Sequence, residues 1–315
     1  MSPTLSVILP VYNAMPYLPD AVDSVLRQSF SDFSLIIIND GSTDGSLDYL
    51  QSLRDPRIVL VNQENQGLGS SLNLGLNMCQ SQYVARMDAD DISLPDRFAS
   101  QIEFLEAHPR VVMVGTQIDF LIRNHTQKGL RTPTNHEEIQ SRLLMGRAGL
   151  CHPSIMFRTP AAVVCGGYPT ALIEPATDFL LRMCEQGPVA NLDRVLLRYR
   201  LHAGQLSQTK CRELIAANLY AAYCAYCRRD RIISQPFDAF MHGQSFLSRC
   251  RLNIEAWELI QYRTARIELA NGNRLRAYLR IVSLAVCRPL ASIRRFVQVI
   301  TWTLRSRHAQ AEPQR

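Results

Sequence analysis

No glycine-rich phosphate loop occurs in the chain: neither G-x-G-x-x-G nor G-x-x-x-x-G-K-[ST] is present. That absence argues against a dinucleotide enzyme and against a P-loop NTPase. Long apolar runs are missing as well. The N-terminal run from Leu5 to Val11 lacks a basic region before it and is too short for a signal peptide. No stretch approaches the ~20 apolar residues that cross a bilayer. The nine cysteines are an odd count without the spacing of a disulfide framework, so they read as thiols of a reducing compartment. Cys224-x-x-Cys227 is the one close pair. It has no second pair and no nearby His to complete four zinc ligands. The expected protein is cytoplasmic and touches a membrane at most from its cytoplasmic face.

What is there is a chain of 315 residues, 47% apolar and 20% charged, long enough for a large α/β domain with an appendage. Its net charge of +6 is unevenly spread. Residues 1–200 carry 16 basic and 21 acidic residues; residues 201–315 carry 18 and 7. Apolar runs at Leu5–Leu9, Phe33–Ile38, Arg57–Val61, Tyr83–Met87 and Val111–Gly115 predict strands. Helical periods at Tyr17–Arg27, Gly69–Met78 and Pro95–Ala107 alternate with them. This alternation implies βαβ units and a mostly parallel sheet flanked by helices. Residues 117–203 suggest a smaller mixed-sheet extension, with a loop at His152, a helix at Phe179–Gln186 and a strand near Val195–Arg200. From about 206 onward the chain reads as helical.

Ligands of an open parallel sheet bind outside the carboxyl ends of its strands. Four polar clusters fall there: Pro10-Val11-Tyr12-Asn13, Asn39-Asp40-Gly41-Ser42, Asn65-Gln66-Gly67 and Asp88-Ala89-Asp90-Asp91. The last is the sharpest. Three carboxylates close together need a cation to coexist in ionised form. Hard oxygen ligands suit Mg²⁺ or Mn²⁺, which bridge protein carboxylates and a diphosphate. An Asp-rich turn capping the next helix is the plainer alternative, although Ser93 and Pro95 can serve there. Asp40 can accept hydrogen bonds from a base or ribose, Tyr12 offers a ring for packing, and Arg86 can pair with the carboxylates or with phosphate.

Ser6–Asn13 (SVILPVYN), Ile38–Ser46 (INDGSTDGS), Asn65–Gly67 (NQG) and Ala85–Ile92 (ARMDADDI) resemble family 2 glycosyltransferases of the GT-A fold. So do Leu94–Arg97 (LPDR), His152–Arg158 (HPSIMFR), Gly166–Pro169 (GGYP), Asp178–Met183 (DFLLRM) and Leu197–His202 (LRYRLH). The resemblance spans about residues 4–205 and implies one glycosyltransferase domain there. Its nucleotide-binding half is about 1–116 and its acceptor half about 117–205; a basic helical extension follows over 206–315. It implies an inverting hexosyl transfer from a nucleotide-diphospho-sugar, UDP-linked, to a glycan or lipid-linked acceptor in polysaccharide or glycolipid synthesis. By motif, Pro10, Tyr12, Asn13, Asp40, Asn65, Gly67, Arg86 and Asp88 fall to the donor. Asp90 and His202 fall to the metal, and Asp178 to the catalytic base. Asp91, His152, Gly167 and Glu174 are helpers or acceptor contacts. One departure stands out: Thr177 replaces the family's usual Glu before Asp178. Plainer readings stand beside these roles: a helix cap for Asp178, loop positions for His152 and His202, and a tight turn at Gly166-Gly167.

Between Leu269 and Ala311 there are eight arginines and no acidic residue. Apolar stripes at Leu275, Tyr278, Leu279, Val282, Val286 and at Ile293, Phe296, Val297, Ile300, Leu304 suggest basic amphipathic helices. Such helices, with Trp302 as an interfacial aromatic, can lie on anionic membrane through about 274–307, or pack on the catalytic domain. Nucleic acid is not expected, since no recognised module accompanies the charge. Two other functions compete. A polyprenyl-phosphate sugar synthase has no need to deprotonate a hydroxyl, and a non-catalytic donor-binding scaffold would accord with Thr177. A sugar-1-phosphate nucleotidyltransferase is disfavoured, because residues 8–30 hold no Gly and no Lys.

Overall fold

The structure, a computed structural model, describes residues 2–123, 125–129 and 131–287. The first half runs β1 (Leu5–Val11), α1 (Leu18–Leu26), β2 (Phe33–Asp40), α2 (Ser46–Ser52), β3 (Ile58–Gln63), α3 (Leu68–Met78), β4 (Tyr83–Arg86), β5 (Ile92–Ser93) and α4 (Arg97–Ala107). Then come β6 (Met113–Ile122), β7 (His125–Lys128), α5 (His136–Leu144), β8 (Met156–Arg158), α6 (Thr159–Val164), α7 (Ala176–Gln186) and β9 (Val189–Arg200). Helices α8 (Leu206–Thr209), α9 (Cys211–Arg229), α10 (Phe237–His242), α11 (Phe246–Ala270) and α12 (Arg274–Cys287) follow.

The sheet order is β3-β2-β1-β4-β8-β6-β9-β5, with β7 paired to β6. The first four strands are parallel, with Ile8 opposite both Ile36 and Arg86. Their apolar runs follow from burial on both faces. Leu5, Val7, Leu9 and Val11 pack on one side against Leu18, Val22 and Val25 of α1. Ile8 points the other way, to Leu72 and Leu76 of α3. Pro10 is tolerated inside β1 because the β4 ladder stops at Ile8.

The fifth expected strand begins two residues later, as β6, and does not extend the parallel series. The three-residue β8 enters between β4 and β6 and pairs antiparallel with both. Two residues of β5 pair antiparallel with Leu197 and Arg198 of β9, which brings the end of β9 beside the β4–β5 loop.

The described chain forms two compact units. Of the described residues, the first holds those in 2–119, 128–200 and 213–243; the second holds those in 120–127, 201–212 and 244–287. Around residue 205, the segment 201–212 belongs to the second unit and 213–243 to the first. Ala221 and Ala225 of α9 are buried in one core with Phe179 and Leu180 of α7, and Thr177 donates to Asn218 at 2.8 Å. In the second unit, Tyr262 and Ala265 of α11 pack on Ala277, Ile281 and Leu284 of α12. The expected stripe of α12 lies on the other side: Leu275, Tyr278 and Leu279 are 73%, 59% and 59% exposed. The stripe in 290–305 and Trp302 lie outside the described residues.

Candidate active site

Short turns at the carboxyl ends of β1 and β2 are laced together. The Asn13 side chain accepts from the Thr43 backbone at 2.8 Å, and the Asn13 backbone N–H donates to Ser42 Oγ at 3.1 Å. Asp44 accepts from the Met15 backbone at 2.8 Å. This lacing leaves the Tyr12 ring 56% exposed at the edge, as a stacking surface requires.

Asp40 is buried, and its carboxylate is taken up by the chain itself. Oδ1 accepts from Gln63 Nε2 at 2.6 Å and the Gln66 backbone at 2.8 Å, and Oδ2 accepts from the Gly67 backbone at 2.9 Å. Its place at the strand end matches the expectation, but these bonds make it the organiser of the Asn65–Gly67 turn. Asn65 itself is exposed. Gly41 must be glycine: its φ is +74°, and a Cβ there would sit 2.8 Å from the Asn65 nitrogen.

Asp88, Asp90 and Asp91 converge after β4, each offering one ligand oxygen, all within 4.8 Å of one another. Arg86, buried at the end of β4, pairs with Asp88. Its Nε and Nη1 are buried without a hydrogen-bond partner, as is Asp91 Oδ2. Burial, reinforced by Asp90 and Asp88, pushes the Asp91 carboxyl well above the usual carboxylate range, against the pull of the Arg200 backbone N–H. Burial also raises Asp88, although Arg86 opposes it. Hard oxygens gathered at high cost to their charge are a donor set that fits Mg²⁺ or Mn²⁺.

Two arginines that sequence reasoning did not assign hold this loop. Arg200, at the end of β9, donates from its backbone to Asp91 at 2.8 Å and from Nε to the Asp90 carbonyl at 2.6 Å. Arg97 is fully buried below it and donates to the Arg86 carbonyl at 2.6 Å and to Gln101 at 3.1 Å. Burial, with Arg86 nearby, brings its pKa down to about 9. Both arginines stand in the quoted motifs LPDR and LRYRLH, which was the available signal.

On the acceptor side, His152 Nε2 lies 3.1 Å from the Tyr168 hydroxyl. Burial and the Arg86 charge push its imidazole well below the ordinary histidine range, so it is neutral at pH 7. Gly167, at φ +69°, makes room for Asn73, which clamps the Tyr168 backbone with bonds of 2.7 and 2.8 Å. Glu174 caps α7, accepting from Ala176 and Thr177 at 3.0 and 3.2 Å. Asp178 lies in the first turn of that helix and does not cap it; it pairs with Arg182 at 2.7 Å and Arg228 at 3.2 Å. His202 belongs to the second unit, where its backbone donates to Gln205 at 2.9 Å. The eight cysteines from Cys79 to Cys250, Cys224 and Cys227 among them, form no disulfide.

A parallel sheet with antiparallel additions and a carboxylate cluster on its carboxyl edge defines a GT-A-type α/β enzyme. The profile described as Glycosyl transferase family 2 matches residues 6–164, about half of the chain, and the chain belongs to that family of glycosyltransferases. It is 32% identical over 207 residues to the O-antigen biosynthesis glycosyltransferase WbnJ of Escherichia coli, covering 63% of this chain and 80% of that one. Among solved structures it resembles S. aureus TarS 1-349 in complex with UDP-GlcNAc, at TM-score 0.58, 14% identity and coverage of 90% and 92%. It also resembles the mannosyltransferase PcManGT of Pyrobaculum calidifontis in complex with GDP-Man and Mn²⁺, at TM-score 0.59, 17% identity and coverage of 95% and 86%.

Proposed function

We propose that this glycosyltransferase moves a hexose from a nucleotide-diphospho-sugar, UDP-linked, to a hydroxyl of a glycan or lipid-linked acceptor, with inversion, in cell-surface polysaccharide or glycolipid synthesis. The observation that carries the reading is the convergence of Asp88, Asp90 and Asp91 on the edge that also bears Tyr12 and the Asn65–Gly67 turn. WbnJ, named for O-antigen biosynthesis, supports the pathway class. Fold neighbours that hold UDP-GlcNAc and GDP-Man support the donor class. Asp90 and Asp91 would hold a divalent cation, and Asp88 would reach toward the ribose. A bound cation supplies charge neutralisation to the departing diphosphate. Tyr12 packs against the base, Asn13 and Pro10 shape the rim, and Arg86 pairs with Asp88, opposing the burial that raises its carboxyl. Asp178, in the first turn of α7, takes the acceptor proton.

Calorimetric titration of the full chain with UDP-GlcNAc, other UDP-sugars and GDP-mannose, with and without Mn²⁺, tests this reading. Binding of one nucleotide-sugar that needs Mn²⁺ and is lost in Asp90→Ala is expected. Equal binding without any divalent cation would sink the metal assignment, and no binding of any donor would sink the function.

We further propose that the exposed face of α12 meets anionic lipid at the cytoplasmic membrane surface. No helix among the described residues is long and apolar enough to cross a membrane. Leu275, Tyr278, Leu279 and Val282 form an outward stripe on a segment whose unpaired charges are all positive in sign.

A further inference from the structure

We infer that Tyr168 is a positioning residue for the transfer: it holds Asp178 in place relative to the carboxylate cluster by tying α7 to the turn at His152 and to α3. The inference rests on the transferase reading above, with Asp178 as the base. Tyr168 is buried, and three elements engage three different parts of it. Its ring stacks on Phe179, the neighbour of Asp178 in α7, with ring centres 4.0 Å apart and planes 21° from parallel. Its hydroxyl lies 3.1 Å from His152 Nε2. Its backbone is clamped by Asn73 of α3. Asn73 Oδ1 accepts from the Tyr168 N–H at 2.7 Å, and Nδ2 donates to the Tyr168 carbonyl at 2.8 Å.

The other ends of these ties lie at the donor edge. His152 opens a short turn, His152–Ser154. Ile155, directly after it, accepts the backbone N–H of Arg86 at 3.0 Å, and Arg86 pairs with Asp88 of the cluster. Arg97 locks the same junction, donating to the Ile155 carbonyl at 3.3 Å and to the Arg86 carbonyl at 2.6 Å. Helix α3 starts directly after the Asn65–Gly67 turn that Asp40 organises. It meets the Tyr168 loop without a spacer: a Cβ on Gly69 would sit 2.5 Å from the Pro169 carbonyl oxygen. The Phe179 ring also meets Phe157 of β8 edge-on at 5.3 Å, and β8 pairs with β4.

A tie of this kind is needed because the base and the cluster stand on separate elements, and a reacting group misplaced by about 1 Å costs on the order of 10²-fold in rate. Ring stacking and a buried hydroxyl bond together restrain both the plane and the rotation of Tyr168. Burial pushes its phenol up and, with the Arg86 charge, pushes the His152 imidazole down. Both partners therefore stay neutral near pH 7, and the bond between them does not titrate there.

The experiment measures nucleoside diphosphate release from the Mn²⁺ complex of whichever of UDP-GlcNAc and GDP-mannose binds, with water as acceptor, at about pH 6.5 and about pH 8. Donor affinity and melting temperature are read alongside. Tyr168→Phe keeps the stacked ring and the backbone clamp and loses only the hydroxyl. It is expected to bind donor as wild type does and to turn over ~10–10²-fold more slowly, by the same factor at both pH values. His152→Ala is expected to match it, and His152→Gln, which can still meet the hydroxyl, to restore part of the rate. The double variant Tyr168→Phe, His152→Ala should be no slower than either single one, because one bond is lost in all three. Wild-type turnover in folded, donor-bound Tyr168→Phe overturns the inference, and so does a loss that saturating donor abolishes. Losses that multiply in the double variant, or that appear at one pH only, overturn it too. If Tyr168→Phe does not fold, the two His152 variants decide, and wild-type turnover in His152→Ala overturns the inference. A wild type that binds neither donor overturns the transferase reading and this inference together, and wild-type turnover in Asp178→Asn overturns the base assignment beneath it.

Discussion

Arg200 grips the Asp90–Asp91 turn twice, through its backbone N–H to the Asp91 carboxylate at 2.8 Å and its Nε to the Asp90 carbonyl at 2.6 Å. Its Nη2 then reaches Asp20 on α1 at 3.0 Å. The backbone bond survives any substitution, so side-chain replacement tests orientation of the cluster rather than its existence. Arg200→Ala should weaken Mn²⁺ binding about 10–100-fold, as loss of an orienting partner does. Calorimetry on the donor-bound protein would show it; unchanged affinity would remove Arg200 from the site.

Cation binding should release protons. Asp88 and Asp91 are raised above the ordinary carboxylate range by burial, so folding retains protons there that the unfolded chain gives up. Their contribution to stability is complete below the unfolded carboxylate pKa and is lost as pH rises through the folded values. A cation reverses that loss. Melting temperature with and without Mn²⁺ should diverge more at about pH 8 than at about pH 5. Equal increments at both would mean that the carboxylates do not take the ion.

Gly41→Ala should be costly in two ways. A left-handed φ of +74° disfavours Ala by more than ~1 kcal/mol, and its Cβ would displace the Asn65 backbone. Gly45→Ala is the matched control, with φ +88° and no atom within 4 Å of the new Cβ. Both variants should melt earlier, and only Gly41→Ala should bind the donor markedly less well. Equal donor affinity in the two variants would detach the Asn65 turn from the nucleotide.

Full-length protein should float with anionic vesicles and not with neutral ones. Burying a leucine side chain is worth ~1.5–3 kcal/mol, so Leu279→Glu should weaken flotation by about tenfold or more at an unchanged melting temperature. Binding that ignores both lipid charge and this substitution would instead point to another chain as the occupant of the α12 face.

How far the sequence could be read depended on the range of the interaction. β1 to β4 were visible because burial on both faces demands continuous apolar runs, and Asp88, Asp90 and Asp91 because three neighbours announce themselves. β8 was not visible, since three residues carry no periodicity. Arg200 lies 109 positions from Asp91, and only the pairing of β9 with β5 brings them together. Asp40 was correctly placed at a strand end. Its partners Gln63, Gln66 and Gly67 appear only once the turn folds back. For α12 the stripe was legible but its side was not: Ala277, Ile281 and Leu284 fill the seam with α11, and alanine adds little to a hydrophobic pattern.

The first compact unit leaves its own course at residue 119, returns at 128, leaves again at 200 and returns at 213. Arg228, on the last of these returns, supplies one of the two cations that hold Asp178. Every sugar-transfer motif has therefore been translated well before the fold that carries them can close. A nascent chain stopped at 205 would present the face of α7 that Ala221 and Ala225 later cover. The shortest piece that contains the whole unit ends at 243, and that residue is where an expression boundary belongs.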